Sequence, residues 1–111
     1  MVVSNGSHAE FVVVNQNLCS RIPSETNEKE AADTVLGSIA LHGLRLSETS
    51  LGSKVVVVGL GIVGQLVCRL GEAQGSEVFG IDPDEMRRAD NQNYYASIDD
   101  LPIDEADAVI I

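Results

Sequence analysis

The order of hydrophobic and polar residues in the second half of the chain predicts a strand, a helix and a second strand. Residues 54–58 contain four consecutive valines, which predict a buried strand because no polar residue interrupts them. From Ile62 to about Gln74 apolar residues recur every three or four positions, as on one face of a helix. Gly75 is a typical helix stop, and residues 77–82 predict the second strand.

Shorter patterns predict the remaining elements. Runs of β-branched or aromatic residues indicate strands, and Gly37 is expected to divide a longer helical segment in two. The predicted segments are strands at residues 10–14, 94–97 and 107–111, and helices near 28–35, near 38–46 and starting at Pro83. The pattern predicts an α/β fold of the Rossmann type, a parallel sheet with helices on both faces. We expect the strand order 3-2-1-4, with strand 54–58 in the centre.

The turn between the first predicted strand and its helix carries the pattern G-x-G-x-x-G. Gly59 permits a tight turn, Gly61 lacks a Cβ so that a pyrophosphate can approach the backbone, and Gly64 allows close packing. The N–H groups at the start of the helix then face the phosphates. A turn that serves packing alone is the alternative, and it explains Gly64 but not Gly61.

An acidic residue, Asp82, ends the second predicted strand, 18 residues after the last glycine of the turn. At this distance a carboxylate accepts hydrogen bonds from the adenosine ribose hydroxyls and repels a 2′-phosphate, which favours NAD over NADP. The alternative is a helix cap, with Pro83 at the first helical position and Glu85 completing a capping box. Arg87 and Arg88 leave two options open: they flank the ribose or pair with surface carboxylates.

Composition narrows the classes of partner. The chain has 111 residues and carries 17 acidic against 7 basic side chains, a net charge of −10, which disfavours nucleic acids and anionic membranes. Cys19 and Cys68 have neither disulfide-framework nor metal-site spacing, and we assign no catalytic role to His8 or to His42, which we expect to pack among apolar neighbours. The N-terminus lacks the pattern of a secretory signal, so we expect a soluble, cytoplasmic protein.

Three stretches in order, "AEFVVVNQNLCSRIP", "EAADTVLGSIALHGLRL" and "LGSKVVVVGLGIVGQLVCRLGEAQGSEVFGID", resemble the medium-chain dehydrogenase/reductase family of alcohol-dehydrogenase-like oxidoreductases. The resemblance covers about residues 8–90. It implies hydride transfer between an alcohol and NAD(P). It also implies that Asp82 holds the adenosine ribose with Arg87 beside it. The residues implied to contact the pyrophosphate are Gly59, Gly61, Ile62, Val63 and Gly64.

The sequence also departs from the family pattern. Thr34 stands where many zinc-dependent members have a cysteine ligand, so the zinc dependence of the parent enzyme stays open, and we assign no catalytic residue and no metal ligand. We expect a fragment of a longer enzyme that is inactive alone. Residues 1–27 would be a remnant of the catalytic, GroES-like domain with its linker. Residues 28–111 would be an NAD(P)-binding domain, incomplete at its C-terminus and with an exposed sheet edge through which a homodimer could form.

A regulatory nucleotide-binding module, of the kind that gates potassium transporters, is the alternative function. Such modules share the strand, glycine turn, helix, strand and final aspartate. They begin at the glycine strand, however, whereas residues 8–53 here resemble a dehydrogenase.

Overall fold

Two β-sheets and a helical layer organise the chain in the computed structural model, which describes residues 1–88 and 91–111. The strands are β1 (Val2–Ser4), β2 (Cys19–Arg21), β3 (Lys54–Val58), β4 (Glu77–Ile81), β5 (Tyr94–Tyr95) and β6 (Ala108–Ile110). The α-helices are α1 (Glu28–Ala32), α2 (Thr34–Leu46), α3 (Ile62–Gln74) and α4 (Glu85–Arg88), and 3₁₀ turns span Gln16–Leu18 and Ile98–Asp100.

The larger sheet is parallel and has the order β5-β4-β3-β6. Val56 on β3 lies between Phe79 on β4 and Val109 on β6. Since β3, β4, β5 and β6 are the first to fourth strands of this sheet along the chain, the predicted order 3-2-1-4 is confirmed. The three central residues of β3 are buried, as the uninterrupted valines predict.

Different layers cover the two faces of this sheet. On one face Val55 and Val57 pack with Val67 of α3 and Leu44 of α2. On the other face Val56, Phe79 and Ile81 are covered by Leu101 and Ile103, which follow the 3₁₀ turn Ile98–Asp100. The α/β, Rossmann-type fold class is confirmed, but the prediction of helices on both faces is wrong for the described residues, because a 3₁₀ turn and the connection after it cover the second face.

The first half of the chain differs from its local pattern. Residues 10–14 do not form a strand; β1 and β2 pair antiparallel instead, and this segment belongs to their connection. Val12 and Val14 lie near Gly6, whereas Phe11 and Val13 are exposed. A β-branched run favours a strand only where a neighbouring strand supplies hydrogen-bond partners, and Ser4 on β1 already pairs with Cys19 on β2.

The helical segment 28–46 divides at Asp33 and not at Gly37. Asp33 ends α1 and precedes α2, and its carbonyl oxygen accepts the N–H of Gly37 at 2.8 Å. A glycine inside a helix costs about 1 kcal/mol. Packing of α2 against α3, with Ala40 and Leu44 buried, stabilises the continuous helix.

The helix predicted to start at Pro83 begins two residues later, at Glu85. The carboxylate of Asp84 accepts the N–H of Met86 at 2.9 Å, so Asp84 caps this helix and Pro83 precedes it. Residues 89 and 90 of the predicted helix lie outside the described residues. No helix within residues 1–88 and 91–111 is both long enough and apolar enough to cross a membrane.

Candidate functional site at the ends of two parallel strands

The carboxyl ends of β3 and β4 lie side by side, and the glycine turn leaves the sheet there. The N–H of Gly59 donates to the carbonyl oxygen of Ile81 at 2.7 Å, which ties the start of the turn to the end of β4. Gly59 has φ +93°, a left-handed conformation that glycine adopts without a steric penalty. The positive φ at this position therefore favours glycine over any other residue.

The other two glycines have different surroundings. A Cβ on Gly64 would overlap the carbonyl oxygen of Gly59, so Gly64 lets α3 pack directly on the turn. A Cβ on Gly61 would meet no atom within 4 Å, and φ at Gly61 is −66°, which any residue adopts. Packing thus accounts for Gly64 but not for Gly61, whose outer side is open to a ligand.

The first turn of α3 presents backbone donors at this open side. Helix geometry leaves the N–H groups of Ile62, Val63 and Gly64 without an acceptor inside the helix. Gly61 and Ile62 are both exposed. The positive end of the helix dipole adds to these donors, so the turn suits a phosphate group.

Asp82 follows β4 and reaches back to the turn. Its side chain is only 3% exposed, and Oδ2 accepts the N–H of Leu60 at 2.8 Å while Oδ1 accepts the N–H of Asp84 at 2.9 Å. These two donors, that of Asp84 first, hold the pKa of the carboxyl below its usual range, and Arg87 adds to the effect. The group is therefore a carboxylate at neutral pH.

The two arginines of α4 contact different groups around Asp82. Nη1 of Arg87 lies 3.4 Å from Oδ2 of Asp82, its Nε lies 3.6 Å from Asp84, and the side chain is 55% exposed. Nη1 of Arg88 donates to the carbonyl oxygens of Asp82 at 2.7 Å and Pro83 at 2.9 Å. Arg88 thus holds the backbone around the carboxylate, and Arg87 is the arginine that stands beside the carboxylate itself.

An apolar groove of about 400 Å³ opens on the other side of the turn. Its walls are the end of β3, the start of α3 and the end of β6, including Ile62, Val63 and Ile110. The groove lies between β3 and β6, where the strand order reverses. Ligands of open α/β sheets bind in such a crevice.

The sequence pattern does not identify two residues that contribute to the site, Leu60 and Gln65. Leu60 is fully buried and bonded to Asp82, and Nε2 of Gln65 donates to the carbonyl oxygen of Leu60 at 3.0 Å. The only signal for Gln65 is a polar residue directly after the last glycine, at a helix position next to the turn. Since glutamine is mostly an exposed residue, that signal does not identify the contact.

The remaining candidates lie away from the strand ends. Cys68 is fully buried in α3, as expected of a small core residue, and burial raises the pKa of its thiol. His42 is exposed on α2 and does not pack as predicted, because Ala40 and Leu44 form the face of α2 that meets α3. Across residues 1–88 and 91–111 no group of three or more histidine, cysteine or acidic side chains is arranged to hold a metal ion.

Known proteins similar to this chain are dehydrogenases and reductases. An alcohol dehydrogenase of Moraxella sp. is 31% identical over 77% of this chain and 25% of its own length. A D-xylulose reductase A of Aspergillus oryzae is 34% identical over 70% of this chain and 22% of its own length. This chain thus spans about a quarter of the length of the curated relatives it matches.

Solved structures share the fold. CAD from Helicobacter pylori, complexed with NADP(H), superposes with a TM-score of 0.74 at 22% identity, over 86% of this chain and 29% of that one. At this level of identity the similarity concerns the fold alone. No family model matches the chain.

Proposed function

Because the chain belongs to the medium-chain dehydrogenase/reductase family, we propose that it binds the adenosine and pyrophosphate parts of NAD(P) for an alcohol-dehydrogenase-like oxidoreductase. The pyrophosphate would lie on the turn, against the backbone of Gly59, Gly61 and Gly64 and the first N–H groups of α3. Asp82 would accept hydrogen bonds from the adenosine ribose hydroxyls, with Arg87 beside it.

The observation that carries this proposal is the open space at Gly61 next to the buried carboxylate of Asp82. A glycine with an ordinary φ and no neighbour within 4 Å of its missing Cβ has no role in packing. The free N–H groups of α3 begin at the next residue. A diphosphate needs such donors, and a ribose diol needs an acceptor like Asp82, so the two together match one half of a dinucleotide.

We further propose the reaction of the whole enzyme: reversible hydride transfer between an alcohol and a nicotinamide cofactor. The groove between β3 and β6 would receive the nicotinamide end, since it adjoins the turn on the side away from Asp82. NAD(P) supplies the hydride acceptor or donor, and this chain's residues bind and orient it. The dehydrogenases and reductases named above support this function over a potassium-transport module.

The domain assignment is part of the same proposal. Residues 28–111 would form the NAD(P)-binding domain, and residues 1–27 would belong to the catalytic domain and its linker. Alcohol-dependent reduction of NAD by this chain alone would contradict the proposal, since it assigns no acid–base residue within the chain.

We propose that NAD is preferred over NADP. A 2′-phosphate would lie against the carboxylate of Asp82, which is ionised at neutral pH, and the two negative charges repel. Arg87 opposes this repulsion, but its single positive charge is already shared between the two carboxylates of Asp82 and Asp84.

Calorimetric titration of the 111-residue chain with NADH, NADPH and ADP-ribose tests the proposal. We expect both NADH and ADP-ribose to bind, and NADPH to bind more weakly than NADH. Asp82→Ala should weaken ADP-ribose and remove the preference for NADH. Glu85→Gln is the control, because it removes one negative charge from exposed α4 without touching Asp82 or the turn. A folded chain that binds none of the three ligands would refute the proposal.

We also propose a homodimer through β6. This strand pairs with β3 on one side and is an edge of the described sheet, with Val109 57% exposed. A strand edge with free N–H and C=O groups favours pairing with a second strand.

A further inference from the structure

Leu60, the second residue of the turn, is held at three points. Its N–H donates to Oδ2 of Asp82 at 2.8 Å, and its carbonyl oxygen accepts Nε2 of Gln65 at 3.0 Å. Its side chain is fully buried beside Gly80, where a Cβ would lie 2.8 Å from Cδ2 of Leu60. Leu60 therefore cannot rotate within the turn without breaking both hydrogen bonds or leaving the core.

Each hydrogen bond also fixes a group on the neighbouring residue, because a peptide unit is planar. The carbonyl of Leu60 and the N–H of Gly61 belong to one unit and point in opposite directions. Gln65, by holding the carbonyl, therefore sets the direction of the Gly61 N–H. In the same way Asp82 holds the N–H of Leu60 and so fixes the direction of the Gly59 carbonyl, against which Gly64 packs.

We infer that Gln65 is a positioning residue for diphosphate binding, and that Asp82 shares this role in addition to its contact with the ribose. The inference rests on the proposed function, since it concerns the same dinucleotide site. Gln65 does not have to touch the ligand. It holds the Leu60–Gly61 peptide in the orientation that the diphosphate requires, so no ordering of the turn is needed on binding.

A matched pair of glutamines on α3 tests this inference. Gln65→Met keeps the length of the side chain and removes its donor. Gln74→Met removes an equivalent hydrogen bond at the other end of the same helix, where Nε2 of Gln74 donates to the carbonyl oxygen of Thr49 at 2.8 Å. The two variants thus lose the same kind of contact, and only one of them adjoins the turn.

The probes are ADP and 2′,3′-dideoxy-ADP, which carry the same diphosphate with and without the ribose hydroxyls. We expect Gln65→Met to weaken both ligands by the same factor, about threefold to tenfold, the range for one neutral hydrogen bond. Gln74→Met should leave both affinities unchanged. Asp82→Asn should weaken both ligands, and ADP by more, because one amide oxygen cannot replace both oxygens of the carboxylate.

An NMR measurement on the ligand-free chain separates positioning from a general loss of stability. We expect Gln65→Met to shift the carbonyl carbon of Leu60 and the amide of Gly61, and Gln74→Met to leave both resonances in place. Gln65→Leu serves as a second variant if the methionine variant does not fold.

The outcomes distinguish this inference from the proposed function. If the unmodified chain binds neither ADP nor its dideoxy analogue, the proposed function is refuted, and this inference with it. If the unmodified chain binds both, and Gln65→Met binds the dideoxy analogue as tightly as the unmodified chain does, the inference alone is refuted. An equal loss of affinity in Gln65→Met and Gln74→Met would also refute it, because the effect would then come from the helix as a whole.

Discussion

Alanine substitutions at Gly61 and Gly64 separate the space that the fold needs from the space that a ligand needs. A Cβ on Gly64 would overlap the carbonyl oxygen of Gly59, which is a backbone atom and cannot rotate away. Overpacking against fixed atoms costs about 1–3 kcal/mol, and more where the backbone has to move. We therefore expect Gly64→Ala to lower the free energy of unfolding by about 3 kcal/mol.

Gly61→Ala should behave in the opposite way. Its Cβ meets no atom within 4 Å and its φ of −66° suits alanine. Alanine is a poorer helix cap than glycine, but it also reduces the entropy of the unfolded chain, and the two effects offset each other. We expect the free energy of unfolding to change by less than about 0.5 kcal/mol. Affinity for NADH should fall at least tenfold, because the methyl group would fill the space in which we propose that the pyrophosphate lies.

Urea unfolding and calorimetric titration with NADH, run on the same preparations, measure both quantities. The reasoning requires a stable Gly61→Ala that binds poorly and an unstable Gly64→Ala. A Gly61→Ala variant that binds NADH as tightly as the unmodified chain would refute the close approach of a ligand at this residue. A Gly61→Ala variant as unstable as Gly64→Ala would refute the open space described here.

Four further predictions concern single side chains. Asp82 should stabilise the fold at neutral pH and lose this effect as the pH falls below about 4, because its pKa is lowered in the fold. Thermal unfolding from pH 6 to pH 2 should therefore show that the stability of Asp82→Asn falls less on acidification than that of the unmodified chain. Cys68 should resist a thiol reagent at pH 8 until the chain unfolds, whereas the partly exposed Cys19 reacts at once, as time-resolved labelling would show. Arg88→Met removes two hydrogen bonds to carbonyl oxygens and should lower the free energy of unfolding by about 1–2 kcal/mol in urea. Val109→Lys should abolish any concentration-dependent dimer in sedimentation, and a dimer that persists would exclude the β6 edge.

The elements that the sequence predicts correctly are those whose signal is local. Helix α3 ends at Gln74, followed by Gly75 in a left-handed conformation, because its apolar stripe and its stop both lie within the element. The valines of β3 predict a strand buried on both faces for the same reason. The glycine spacing identifies the turn, since Gly59 has a positive φ, Gly64 has no room for a Cβ and Gly61 leaves open space beside the backbone.

The predictions that fail depend on partners elsewhere in the chain. Residues 10–14 have the composition of a strand, but β1 and β2 pair with each other instead. The sequence also favours Asp82 as a helix cap, yet in the structure Asp84 caps α4 and the Asp82 side chain reaches the turn. The contact between Gln65 and Leu60 depends on the path of the turn, which no periodicity encodes.

The chemistry of Asp82 explains why a carboxylate, and not an amide, fits this position. Two parallel strands end here, and one side chain must accept N–H groups from both sides: that of Leu60 in the turn after β3 and that of Asp84 before α4. A carboxylate has two oxygens with about four lone pairs, whereas an amide has one acceptor oxygen and would present its NH₂ group to the second donor. After both backbone bonds are made, the carboxylate still has lone pairs for ribose hydroxyls. The residue that would recognise the ligand is thus also the residue that joins the two strand ends, and substitutions there change fold and affinity together.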